Sequence, residues 1–181
     1  MGEAVKLRFL EPTEYERTIP LFCACFGTDE EFLEEYYGHA KDRSGTVYRN
    51  RIAVLEDEAD GRIVSMAHIQ PMTAEYRNRE LPVSYLMCIA TAEDCRHRGY
   101  MDRVLGLVTE TLAEEGEEWC FLVPVDRAIY RHLGFIHDWR FRPEEAEILA
   151  ADDGLEFCSA AILPGAANAD WQPPERVCQR A

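Results

Sequence analysis

Residues 81–105 read LPVSYLMCIATAEDCRHRGYMDRVL. The first ten are apolar enough for a buried strand, and Thr91 to Asp94 form a short polar link. A basic, glycine-containing turn follows: Arg96, His97, Arg98 and Gly99. Directly after it, Met101, Val104, Leu105, Val108 and Leu112 recur at i, i+3, i+4, i+7 and i+11, one face of an α-helix. A strand that turns through glycine into a helix start has a chemical use. The first N–H groups of a helix lack intrahelical partners, and the helix dipole makes that end positive. A phosphate fits there. Gly99 lets the backbone come close, and Arg96 and Arg98 add charge that pairs well with phosphate. The local pattern fits two readings equally: a pyrophosphate cradle, and an ordinary turn with solvated arginines.

The surroundings add a second motif. Residues 119–124 read WCFLVP, a further strand, and residues 128–135 read AIYRHLGF. The run 96–101 resembles the acyl-CoA signature Gln/Arg-x-x-Gly-x-Gly/Ala of the GCN5-related N-acetyltransferases (GNAT). Met101 stands where that signature has a small residue. A large residue there is similar to the branch of the mycobacterial enhanced-intracellular-survival (aminoglycoside) acetyltransferase. The run 128–135 resembles that family's Ile-Tyr-x-x-x-Gly-Phe segment. The resemblance covers roughly residues 5–140.

Composition bounds the rest. The 181 residues, 47% hydrophobic and 29% charged, predict one folded domain with a substantial core. We expect that domain over 1–163 and a loop-like tail over 164–181, where three prolines fall. No apolar run approaches the ~20 residues that span a membrane, and the N-terminus carries no signal-peptide core. Lys6 stands where N-myristoylation needs Ser or Thr. The net charge of −15 argues against nucleic acid, whose phosphates need a basic surface, and fits two readings equally: steering of a cationic partner, and a charge that only keeps the protein soluble. Seven irregularly spaced cysteines without a C-x-x-C pair exclude the usual zinc and redox patterns, so no metal is expected. Reduced thiols fit a cytoplasmic protein.

In chain order, Val5 to Leu10 alternate as a first strand. Thr13 is the expected cap of a helix to Phe26, with Glu16 closing a capping box and Pro20 splitting it or bending it. A second helix is expected over 30–38. Strands follow at 51–56 and 63–72, extending past Pro71 to 77. Asp60-Gly61 marks a hairpin between them, and 78–80 turn into the central strand. Gly116 stops the central helix. Final strands are expected at 136–141 and 156–163. The fold class is α/β (α+β): a mixed, mostly antiparallel sheet of six or seven strands with helices on both faces.

The resemblance implies a GNAT fold in which two adjacent parallel strands splay to admit the pantetheine arm of acetyl-CoA. It places the main chain of Cys88, Ile89 and Ala90 along that arm. Arg96, His97, Arg98, Gly99, Tyr100 and Met101 meet the pyrophosphate, and Asp126 lies near the pantetheine. Tyr130 matches the tyrosine beside the thioester sulfur, a general acid for the leaving thiolate. The first helices form an acceptor wall, which implicates Phe26, Phe32, Tyr36 and Tyr37, with Tyr85 on the central strand. That strand has no carboxylate before Glu93, so His68 and Glu75 on the preceding strand are the candidate bases. The expected activity is transfer of an acetyl group from acetyl-CoA to a primary amine of a small, cationic acceptor. Two alternatives stay open: a non-catalytic acyl-CoA-binding sensor, and a protein or peptide N-acetyltransferase. Open sheet edges also allow a homodimer.

Overall fold

The computed structural model describes residues 4–29, 31, 33, 37, 50–141, 156–166 and 171–179. These group into two compact units. One comprises residues up to Ile69 together with Cys88–Val108. The other comprises Gln70–Met87 and the chain from Thr109 onward. Strands β3 (Ile63–Tyr76) and β4 (Arg79–Thr91) and helix α2 (Tyr100–Glu114) each run from one unit into the other.

In the first unit, β1 (Val5–Phe9) pairs antiparallel with β2 (Arg51–Asp57), and β2 pairs antiparallel with β3 from Ile63 to Ile69. The hairpin predicted at Asp60-Gly61 is present: Gly61 has φ +72°, and Asp57 N–H donates to the Arg62 carbonyl. The first helical region departs from expectation. A 3₁₀ segment over Pro12–Thr18 precedes α1 (Ile19–Phe26), and Pro20 lies in the first turn of α1. Proline is tolerated there because that N–H has no intrahelical partner. The capping box is Glu11 with Glu14, not Thr13 with Glu16, so Pro12 takes the first position. Arg8 bonds Glu14 and Glu56, and Arg17 bonds the same two carboxylates, which ties this segment to β1 and β2. Gly27 closes α1 in the left-handed conformation. Beneath lie Leu10, Tyr15, Ile19, Leu21, Ile52, Val54, Ile63, Met66 and Ala90. Glu31, Leu33 and Tyr37 are helical; the remainder of the helix expected over 30–38 lies outside the described residues.

In the second unit, β4 pairs in parallel with β5 (Trp119–Leu122). β5 pairs antiparallel with β7 (Glu156–Ile162), and β7 with β6 (His137–Phe141). The tail corrects the expected loop: Arg176–Gln179 form β8, antiparallel to Met72–Glu75 of β3. Among the described residues the sheet therefore has eight strands rather than six or seven. Pro71 falls between the part of β3 that pairs with β2 and the part that pairs with β8. A residue without an N–H suits that gap. Arg77 and Asn78, both at positive φ, make the two-residue turn into β4 that the sequence suggested one residue later. Trp119, Phe121 and Trp139 pack with Tyr85, Val83 and Ala160 in this unit's core. Among the described residues no helix is long and apolar enough to cross a membrane.

Candidate active site

The parallel ladder between β4 and β5 is short. It joins Ser84, Tyr85 and Leu86 to Cys120, Phe121 and Leu122, and β5 then ends while β4 runs on to Thr91. Two residues after the last pair, Cys88 sits at φ +50°, a left-handed residue inside a strand. Such a residue interrupts the pleat and re-aims the groups beyond it. Burial pushes the Cys88 thiol up to about 12, so it is protonated at neutral pH and acts as a small apolar group. The strand end is held from the β3 side. The buried Ser65 hydroxyl donates to the Ala90 carbonyl at 3.1 Å and meets Thr91 Oγ1 at 2.9 Å. Ala92 N–H donates to the Val64 carbonyl at 2.9 Å. The sequence names Cys88 but not its left-handed conformation, and it does not single out Ser65, because an ordinary serine in a strand and a non-glycine residue at positive φ leave no local signal.

A 3₁₀ turn over Glu93–Cys95 follows, with the Cys95 side chain buried. Arg62, from the hairpin, grips the Asp94 carboxylate with two N–H groups at 2.8 and 3.3 Å. This holds the Asp94 carboxyl below its usual range. Arg98 donates to the Asp94 carbonyl at 2.9 Å. His97 and Gly99 are left-handed, at φ +63° and +72°, while Arg98 between them is not. Alternating handedness turns successive N–H groups toward one concavity. A Cβ built on Gly99 would meet no atom within 4 Å, so the space in front of this backbone is open. The 15-residue α2 starts at Tyr100. Its apolar face is the predicted one: Val104, Leu105, Val108 and Leu112 are buried. Each contributes about 1.5–3 kcal/mol of burial, which fixes the helix start in place. Tyr100 itself is buried and Met101 half-buried, so their part in an anion site is through the main chain. The Arg96 side chain folds back toward the Thr91 carbonyl, with Nε at 3.4 Å.

In the second unit, Asp126 caps α3 (Arg127–Tyr130) by accepting from Ala128 N–H at 2.9 Å. Its carboxylate is thus committed to the helix start. Tyr130 ends α3, nearly buried, with its ring edge-on to Phe135 at 6.2 Å. Among the described residues its hydroxyl makes no hydrogen bond. Burial raises its pKa above the ordinary 10, so the phenol keeps its proton at neutral pH. Gly134, left-handed at φ +90°, ends the following 3₁₀ turn.

The remaining predicted residues divide. Phe26 is 47% exposed, with its ring 4.8 Å from Phe22, and is available as a wall. Tyr37 is not: it is buried, and its hydroxyl meets Thr18 Oγ1 at 2.9 Å. Tyr85 is likewise buried, stacked on Phe121 at 5.1 Å. Phe32 and Tyr36 lie outside the described residues. His68 is fully buried between the rings of Phe22 and Tyr37, and neither ring nitrogen has a hydrogen-bond partner among the described residues. Burial lowers its pKa to about 3, which removes the basicity a general base needs. Glu75 is half exposed at the β8 edge, 4.0 Å from Arg176. Neither candidate base therefore has a catalytic setting. Among the described residues no cluster of metal ligands occurs.

A family model described as Acetyltransferase (GNAT) domain matches residues 6–137. No curated protein matches the sequence. Among solved structures, a GCN5-related N-acetyltransferase from Kribbella flavida aligns at 22% identity and TM-score 0.61, covering 76% of this chain and 36% of that one. A GNAT family acetyltransferase from Brucella melitensis, in complex with acetyl-CoA, aligns at 15% identity and TM-score 0.59, covering 99% and 98%. Eis1 from Mycobacterium abscessus aligns at 16% identity and TM-score 0.57, covering 79% and 36%. This chain thus spans about a third of the Kribbella and Mycobacterium chains and nearly all of the Brucella one. At these identities the structures establish the shared fold.

Proposed function

Because this chain belongs to the GNAT acetyltransferase family, we propose that it moves an acetyl group from acetyl-CoA to a primary amine of a small, cationic acceptor. The observation that carries this reading is the turn 97–100. His97 and Gly99 are left-handed, α2 starts at Tyr100 and a Cβ on Gly99 would meet no atom within 4 Å, in a protein whose overall charge is −15. Such a turn is a local exception that suits a pyrophosphate. The large residue at Met101 supports kinship with the enhanced-intracellular-survival branch.

The residues divide the work as follows. The backbone of His97, Arg98, Gly99 and Tyr100 holds the diphosphate, with the Arg98 guanidinium adjacent. The main chain of Cys88, Ile89 and Ala90, re-aimed at Cys88, pairs with the pantetheine amides. Phe26 is a wall of the acceptor side. The acidic surface attracts a cationic amine. The neutral amine attacks the thioester carbonyl, a C–N bond forms and the C–S bond breaks. The Tyr130 phenol gives its proton to the departing thiolate, and the new ammonium loses one to water. Burial of Tyr130 keeps that proton in place until it is needed. The setting of this reading is the cytoplasm, where the seven cysteines would stay reduced.

A second reading, acyl-CoA binding without turnover, draws on one observation: neither His68 nor Glu75 is set as a base. Thermal melting with acetyl-CoA, CoA and ATP tests the shared part. A ligand at ~100 times its Kd stabilises by about 2.7 kcal/mol, which moves the midpoint several degrees. The expected result is a shift with acetyl-CoA and CoA and none with ATP. No shift with acetyl-CoA would remove both readings.

A further inference from the structure

The first unit contains a cavity of about 590 Å³ that the acyl-transfer reading does not use. It lies among α1, the β2–β3 hairpin and the 92–96 turn. Its apolar lining is Pro20, Leu21, Ala24, Ile63 and Ala92. Two of its three arginines are neutralised in building its walls. Arg17 pairs with Glu14 and Glu56 and donates to the Gly61 carbonyl at 3.0 Å, and Arg62 pairs with Asp94 at 2.8 Å. The Asp60 carboxylate accepts the Arg62 main-chain N–H at 2.9 Å and keeps its charge. Among the described residues, three lining charges have no ion pair: the Arg96 guanidinium and the carboxylates of Glu93 and Asp60. Among the described residues, the Arg96 guanidinium reaches only the Thr91 carbonyl, at 3.4 Å, and the Glu93 carboxylate has no partner.

We propose that this cavity is a binding site for a small apolar zwitterion of dipeptide size, its carboxylate on Arg96 and its ammonium on Glu93. The volume falls in the range of small-molecule sites, which are mostly apolar with a few placed polar groups. The cavity presents charge of both signs, and a zwitterion matches both. The ion pairs that form the walls tie three separate segments together, so the cavity is preformed. The site stands on this geometry alone and does not depend on acyl-CoA binding.

Isothermal titration with the dipeptide Leu-Leu tests it. Two analogues each lack one charge: N-acetyl-Leu-Leu and Leu-Leu-amide. Leu-Leu binds saturably at one site. Each analogue binds at least about tenfold more weakly, because a hydrogen bond to a charged group contributes about 1.5–3 kcal/mol. Ala24→Trp, which fills the cavity from α1, abolishes binding. Glu93→Gln weakens Leu-Leu and Leu-Leu-amide alike and leaves N-acetyl-Leu-Leu, which has no ammonium, unchanged. Melting curves confirm that both variants are folded, and Ala24→Ser serves as a second substitution at the same position that leaves the space open and keeps binding. The proposal is overturned by the absence of saturable heat with Leu-Leu, by analogues as tight as Leu-Leu, or by unchanged binding to a folded Ala24→Trp variant.

Discussion

Substituting Gly99 by alanine separates the backbone's own demand from the ligand's. At φ +72° an L-residue is strained by about 1–2 kcal/mol. The added Cβ meets no protein atom within 4 Å, so no steric cost adds to that strain. For a chain of this size the melting midpoint should fall by roughly 2–8 °C. The methyl group projects into the space where a pyrophosphate would approach. Losing one charge-assisted N–H···O contact there weakens binding by about 1.5–3 kcal/mol, or about ten- to a hundred-fold in Kd. Gly116 provides the matched control: it too is left-handed, at φ +87°, and its Cβ would also meet nothing. It lies after the far end of α2. Gly116→Ala should lose similar stability and keep wild-type affinity. Both variants are melted and titrated with acetyl-CoA by calorimetry. Equal affinities for Gly99→Ala and wild type, or equal losses in the two variants, would refute the anion role of the turn.

Three further outcomes follow from the same geometry. Tyr130→Phe should lower kcat by about 10²–10⁴-fold with the KM for acetyl-CoA little changed; a loss of only a few-fold in steady-state kinetics would exclude the general acid. His68 carries a lowered pKa in the folded state and its ordinary 6.5 when unfolded, so the unfolded chain binds the extra proton and stability falls as pH drops below 6.5 toward 3. The slope is up to about 1.4 kcal/mol per pH unit, and urea unfolding at pH 7.5 and 5.5 should show it in the wild type and not in His68→Leu; an identical slope in both would locate it elsewhere. Ser65→Ala removes the buried donor to the Ala90 carbonyl, which should cost about 1–3 kcal/mol and raise the KM for acetyl-CoA, and an unchanged KM would show that the strand end does not need that anchor.

Much of this architecture is legible in the residues. The alternation of Val5–Phe9, the Asp60-Gly61 hairpin and the i, i+3, i+4 face of α2 are local signals, and each element forms where its pattern lies. The turn at 96–99 is legible for the same reason: glycine and its basic neighbours advertise a backbone requirement. What stayed hidden is tertiary. Strand β8 exists because the edge of β3 from Met72 to Glu75 lacks β2, and no pattern within a proline-rich tail announces that vacancy. Glu11 rather than Thr13 caps the first turn because Pro12 prefers the first helical position. Tyr37, Tyr85 and His68 show aromatic and polar residues absorbed by packing, where a sequence alone offers the same letters for a substrate wall. Cys88 and Ser65 shape the strand edge through a dihedral angle and one hydroxyl, and neither has a composition signature.

The claim that most needs a direct test is acyl transfer itself. The purified protein is incubated with acetyl-CoA and a panel of polyamines, aminoglycosides and peptides, and products are followed by mass, since seven native thiols would blur a thiol-release assay. The account predicts a single acetyl added to a small cationic amine, faster than to any peptide, and strongly reduced in Tyr130→Phe. Acetyl-CoA binding with no acetylated product on any amine would contradict it and leave the chain a binding module.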